Sequence, residues 1–130
     1  MYSMSIKSSS SFNKTVDEVR TVLQTEGFGV LTEIDVKETL KNKLDVDFDR
    51  YIILGACNPP LAFKALSAEK EIGLMLPCNV IVYESDGTVN VSAIDPVQTM
   101  STVNNRTLTE IAEEVREKLK RVIGKVKADT

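Results

Sequence analysis

An Asp86-Gly87 dipeptide between two apolar runs is the feature that most restricts how this chain can fold. Asp-Gly is a strong signal for a two-residue β-hairpin, because both residues tolerate the left-handed backbone that such a turn requires. The runs on either side, 77–83 and 88–94, are rich in the β-branched residues that favour strands. Because a tight hairpin joins only antiparallel strands, the fold must contain at least one antiparallel pair.

The last third of the chain predicts a long amphipathic helix. Thr107 and Glu110 have the spacing of a capping box, which predicts Thr107 as the N-cap. Glu114 and Glu117 each precede a cation by four residues, so ion pairs are expected on the outer face. Apolar residues recur every three or four positions along the inner face. They are Leu108, Ile111, Val115, Leu119, Val122 and Val126.

A strand and a helix are predicted at the start of the chain. Residues 2–8 alternate polar and apolar side chains, which is the period of a half-buried strand. Thr15 and Glu18 again have capping-box spacing, so we expect a helix over 15–26 with Thr15 as its N-cap. Gly27 follows where a left-handed C-terminal cap belongs.

The middle of the chain predicts two more strands and two shorter helices. Residues 28–36 and 50–56 read as strands. Between them, residues 37–49 are expected to hold a short, exposed helix, because long structureless segments are uncommon in compact domains. Asn58 is a good N-cap for a helix after the second of these strands, and Pro59 suits its first position.

These elements together predict an α+β fold. Their order is strand, helix, strand, weak helix, strand, helix, strand, strand and long helix. A mainly antiparallel sheet of three to five strands, with helices packed on one face and a long C-terminal helix, accommodates that order. The length of 130 residues predicts one domain over 1–130.

Composition narrows the function by what it lacks. The chain contains no histidine, which excludes Ser-His and Cys-His nucleophile pairs and histidine-containing metal sites. A net charge of -3 gives no general attraction to nucleic acid. The sequence contains no run of 18 apolar residues, which a membrane-spanning helix would need. Two cysteines and a polar N-terminal segment indicate a cytoplasmic protein. We therefore expect neither nucleic acid nor membrane as a partner.

The two cysteines are the residues best suited to chemistry. Cys57 and Cys78 are each followed by asparagine, and Cys57 lies just before a helix, where the helix dipole favours a thiolate. A redox dithiol, half of a metal site, or a thiolate that holds a small electrophile or a haem-like ligand would each use them. Two cysteines do not complete a zinc site, although two such pairs across a dimer axis could. The alternative is that both are small buried apolar residues.

The two asparagines have different explanations. N-capping accounts for Asn58, whereas Asn79 stands within a predicted strand, where asparagine is depleted. A structural bond to backbone is favoured over a ligand at Asn79, because buried amides normally satisfy backbone groups. Pro59 and Pro60 remove N–H groups that a phosphate would need at the helix start, so nucleotide binding is disfavoured.

Three motifs resemble those of the domain of unknown function 302 family. They are Gly55-Ala56-Cys57-Asn58-Pro59, Leu74-Met75-Leu76-Pro77-Cys78-Asn79-Val80 and Asp95-Pro96. The resemblance covers almost the whole chain and implies a TATA-box-binding-protein-like fold class, which is a curved antiparallel sheet with helices packed on it, and a homodimer. It brings no activity with it, and it adds Asp95 as a candidate for lining whatever pocket exists.

Two functional hypotheses follow, and no cofactor is identified. The first is a homodimeric module that binds a small molecule or a metal near Cys57, Asn58, Cys78 and Asn79, with Asp95 as a further candidate. The second is a thiol-dependent redox protein or enzyme in which Cys57 is the nucleophile and Cys78 resolves it. The absence of histidine favours the first, because no obvious base activates the thiol. A third, structural alternative is that the Cys-Asn motifs only set the strand ends and the dimer contact.

Overall fold

The computed structural model of the protein describes residues 2–127. These residues form five strands, five α-helices and a short 3-10 helix, Lys70–Met75. The strands are β1 (Ser3–Ser8), β2 (Gly29–Asp35), β3 (Tyr51–Cys57), β4 (Cys78–Ser85) and β5 (Thr88–Ile94). The helices are α1 (Phe12–Thr25), α2 (Val36–Leu44), α3 (Pro59–Ala68), α4 (Pro96–Thr99) and α5 (Arg106–Lys125).

The strands form one open antiparallel sheet in the order β1-β5-β4-β3-β2. The predicted hairpin joins β4 to β5, and its turn residues Asp86 and Gly87 have the positive φ angles, 51° and 77°, that such a turn requires. Helices cover one side of the sheet, and the long helix α5 is the last of them. The predicted α+β architecture is therefore confirmed.

The core lies between this sheet and the helices α1 and α5. Alternate strand residues point toward the helices. Leu54 on β3 and its pairing partner on β4, Val80, are examples, and both are fully buried. The six residues of the predicted α5 stripe are all buried. Because burial of one aliphatic side chain stabilises the fold by about 1.5–3 kcal/mol, this stripe fixes α5 on the sheet.

Both predicted capping boxes place the helix start too late. The side chain of Ser11, not Thr15, caps α1, and that of Asn105, not Thr107, caps α5. Thr15 is fully buried inside α1, where its hydroxyl donates to the Ser11 carbonyl at 2.8 Å. Helix-interior threonines can bond the preceding turn in this way, so the spacing of Thr and Glu alone does not identify the first residue.

The ion pairs predicted along the outer face of α5 are not formed either. Instead, Arg121 and Lys125 reach the carboxylate of Glu26 at the end of α1, each at 2.9 Å. An acid shared by two cations from one helix can hold both in place, which an exposed pair within a single helix does not offer. The charges of α5 therefore fasten α1 to α5.

Three local predictions are confirmed, and two short elements were missed. Gly27 ends α1 with φ 82°, α2 buries none of its residues, and the Asn58 side chain caps α3. The 3-10 helix and α4 were not predicted, because turns of four to six residues are too short for a periodic pattern. Within residues 2–127, no helix combines the length and the apolar character that crossing a membrane requires.

Candidate functional site

A partly enclosed cavity of about 290 Å³ lies between α3, α5 and the ends of β3 and β4. Both cysteines line it, together with residues from the helices. The side chains that α3 and α5 contribute to its wall are Leu61, Ala62, Ala65, Leu66, Ile111, Ala112 and Val115. Nearly the whole surface of the cavity is therefore hydrocarbon.

Small side chains leave this space open. Ala56 on β3, Ala62 and Ala65 on α3, and Ala112 on α5 all line the cavity. Protein interiors are normally packed without voids larger than a water molecule, and a larger side chain at any of these four positions would take up part of the volume.

Cys78 contributes a buried thiol to the wall of the cavity. The residue is 7% exposed, and its partner across the sheet is Ala56. Burial raises the pKa of this thiol to about 11, and the nearby Cys57 adds a smaller upward contribution. At neutral pH Cys78 is therefore protonated, which makes it a poor nucleophile.

Cys57 is the more accessible of the two cysteines. It is half-buried at the end of β3, one residue beyond the register partner of Cys78, and it lines the same cavity. Both thiols are free, and they form neither a disulfide nor a close pair. Both cysteines therefore line one pocket, but their sulfur atoms do not make the contact that a redox dithiol would need.

Asn58 lines the cavity, but its amide is occupied by structural hydrogen bonds. Its oxygen accepts from the N–H of Leu61 at 3.3 Å, which caps α3. Its nitrogen donates to the Glu26 carbonyl, also at 3.3 Å, which ties the start of α3 to the end of α1. The structural explanation therefore accounts for Asn58.

Asn79 and Asp95 do not line this cavity. Asn79 is exposed beside a smaller depression, about 260 Å³, near Met75 and Thr99. Asp95 is only 4% exposed; it accepts from the N–H of Val97 and pairs with Arg116 at 3.2 Å. Of the five predicted site residues, the cavity brings together Cys57, Asn58 and Cys78.

Sequence reasoning missed the helical wall of the cavity. Ile111 and Val115 were recognised only as core positions of α5, and Ala112 was not singled out. Periodicity identifies which side of a helix is buried, but a side chain facing a cavity and one facing a packed neighbour give the same pattern. The clustering of alanines in α3 was the available signal.

Metal binding by one chain is not favoured. No group of three or more cysteine, aspartate or glutamate side chains that could hold a metal ion occurs within residues 2–127. Structural zinc sites use four ligands and catalytic sites use three, so the two cysteines fall short.

Comparison with known proteins identifies the family but no activity. The chain matches the family described as "Domain of unknown function DUF302" over residues 4–126. It also resembles the crystal structure of an uncharacterized conserved protein DUF302 from Bacillus stearothermophilus, with 31% sequence identity and a TM-score of 0.90. That match covers 95% of this chain and 97% of the other. No curated protein matches this chain. By sequence and by structure, the chain belongs to the DUF302 family.

Proposed function

We propose that this protein is a binding module that holds a small apolar molecule in the cavity between α3, α5 and the ends of β3 and β4. The observation that carries the proposal is the cavity itself, about 290 Å³ with walls of alanine, leucine and other apolar side chains. Ligand pockets are typically concave and mostly apolar, with few polar groups. The sequence motifs around Cys57 and Cys78 contribute to its walls.

The size of the cavity sets the size of the ligand. An apolar cavity of roughly 150 Å³ in another protein stays dry and binds benzene. A volume of about 290 Å³ suits a molecule of about twice that size, such as a two-ring aromatic hydrocarbon or an eight-carbon chain. Each buried CH₂ group contributes about 0.8 kcal/mol, so an apolar ligand gains most of its affinity from the walls.

The chemistry of the walls supports binding over thiol catalysis. The two thiols are the only ionisable side chains among the residues that line the cavity. A resolving cysteine must react as a thiolate, and the raised pKa of Cys78 disfavours that form. The thiol-dependent alternative predicts rapid labelling of both cysteines in the folded protein. The binding proposal predicts that Cys78 reacts only after denaturant is added.

An NMR titration with naphthalene tests the proposal. Naphthalene is uncharged and has the size that the cavity suits. We expect shifts confined to amides around the cavity, including those of Cys57, Ala62 and Ala112, and a higher melting temperature with ligand. Shifts scattered over the surface, or none at saturating naphthalene, would refute the proposal.

A cavity-filling variant with a matched control makes the test specific. Ala62 lines the cavity, whereas Ala68 lies on the same helix outside it. Ala62→Leu removes space for roughly two carbon atoms of ligand, so we expect naphthalene affinity to fall about tenfold. Ala68→Leu should bind like the parent protein. Equal binding by the two folded variants would show that naphthalene sits elsewhere.

We propose also that the protein is a cytoplasmic homodimer, as the family resemblance implies. Two free thiols suit a reducing compartment. The sheet face opposite the core carries Ile53 and Ile81, with Tyr51 and Tyr83 stacked at 5.3 Å between ring centres. An apolar face of this kind is typical of interfaces.

Light scattering after gel filtration measures the dimer directly. We expect the mass of two chains for the parent protein and of one chain for Ile81→Lys, which places a charge on the proposed interface. Ser67→Lys, at an exposed position of α3, should stay dimeric. A parent protein with the mass of one chain would contradict the dimer without touching the ligand proposal.

A further inference from the structure

The cavity offers no charged partner to a ligand. No aspartate, glutamate, lysine or arginine is among its lining residues within the described part of the chain. Its only polar side chains are the two thiols and the Asn58 amide, and both ends of that amide are already bonded to backbone. A ligand with a charged group would therefore find nothing inside to neutralise it.

Two cations stand next to wall residues in the sequence, Lys64 before Ala65 and Arg116 after Val115, and neither lines the cavity. Lys64 is exposed and lines a separate depression. Arg116 follows the wall residue Val115 on α5, but its guanidinium nitrogen lies 3.2 Å from the carboxylate of Asp95. That carboxylate is only 4% exposed, so it needs this cation. An anionic ligand that competed for Arg116 would leave a buried negative charge unpaired.

The environment penalises negative charge on the protein's own groups. Burial is the main cause of the raised pKa of Cys78, which means that a thiolate at this position is poorly solvated. A carboxylate on a ligand at the same depth would lose its hydration in the same way. The apolar walls and the raised pKa of Cys78 therefore both disfavour a negative charge inside the cavity.

We propose that the cavity selects uncharged apolar molecules and rejects carboxylates and other anions of the same size. This inference rests on the proposed binding function and adds the chemical class of the ligand. Its source is the combination of a hydrocarbon wall, an occupied amide and an absence of free cations among the lining residues. Ligands whose charged group would have to enter the cavity are thus excluded, whereas neutral hydrocarbons, alcohols and aromatic molecules fit.

The test compares n-octanol with octanoate, two ligands of equal chain length, by calorimetry and NMR at neutral pH. We expect n-octanol to bind at the cavity at least about tenfold more tightly, since a penalty equal to one pKa unit is a factor of ten. Octanoate binding at the cavity as tightly as n-octanol would overturn the inference and leave the binding function intact. If naphthalene and n-octanol both fail to bind, the binding function fails and this inference fails with it.

A lysine at the rim of the cavity should increase its affinity for octanoate relative to n-octanol. Leu66 lines the cavity and is 39% exposed, so a lysine there can lay its stem along the wall with its ammonium at the mouth. We expect Leu66→Lys to raise octanoate affinity about tenfold, and Leu66→Gln, the neutral control, to leave the preference for n-octanol unchanged. Equal octanoate binding by the two variants would count against the inference.

Discussion

Gly55, in the middle of β3, leaves room for two neighbouring side chains to pack over the strand. A side-chain carbon added there would collide with the Thr32 hydroxyl and would lie 2.8 Å from the ring of Pro77. Gly55 pairs with Thr32 on one side and Asn79 on the other. Glycine in a strand often marks such a close approach.

We expect Gly55→Ala to destabilise the protein by about 1–3 kcal/mol, the usual cost of overpacking. Urea unfolding followed by circular dichroism measures the change. Gly29→Ala is the matched control, because Gly29 is also in a strand and an added carbon there has no atom within 4 Å. Equal stability of Gly55→Ala and Gly29→Ala would mean that Thr32 and Pro77 move aside at little cost.

At the scale of elements, the start of α5 links two helices. The Asn105 oxygen accepts from the N–H of Leu108 at 3.1 Å, and its nitrogen donates to the Ala68 carbonyl at the end of α3 at 2.9 Å. One side chain therefore caps α5 and fastens α3 to it. Since α3 and α5 form two walls of the cavity, this contact also fixes the cavity's width.

Asn105→Ala should cost about 1–2 kcal/mol of stability, because it removes an N-cap. Thr107→Ala should change stability by less than about 0.5 kcal/mol, because Thr107 is exposed inside the first turn. Thermal or urea unfolding of the two variants compares them directly. A larger loss of stability for Thr107→Ala than for Asn105→Ala would mean that Thr107 is the N-cap, as the sequence predicted.

At the scale of the whole molecule, Glu26 connects helices far apart in the chain. It lies at the end of α1 and bonds Arg121 and Lys125 near the end of α5. Hydrogen bonds from Arg121, and then from Lys125, lower the pKa of Glu26 from 4.5 to about 2. The network therefore stabilises the folded chain only while Glu26 is ionised.

The sign of the pH dependence follows from that lowered pKa. Stability from Glu26 is fully present above about pH 4.5 and is lost as the pH falls from 4.5 toward 2. Glu26→Gln should therefore have a lower urea midpoint than the parent protein at neutral pH, and the two should converge at the acidic end. Exposed Glu114 makes no ion pair with another described residue, so Glu114→Gln serves as the control. A gap for Glu26→Gln that persists unchanged at low pH would contradict the role of the network.

Local patterns in the sequence determined most of the elements. Asp86 and Gly87 specified the hairpin because their left-handed conformation is a property of those residues themselves. The apolar stripe of α5 and the N-cap at Asn58 could also be predicted, because helical periodicity and N-capping depend on only a few neighbouring residues. Where two caps were misplaced, several polar residues stood within one turn, and only packing decided between them.

The tertiary structure alone decided the site. Ala62 and Ala112 are 50 residues apart in the sequence, and the cavity forms where the fold places both on one wall. The same long-range packing placed Asn79 outside the cavity and brought Asp95 into an ion pair with Arg116. The sequence by itself determined the strands, the helices and the cysteines at two strand ends, because these depend on neighbours in the chain. The volume between them depends on how distant surfaces meet, which no local pattern encodes.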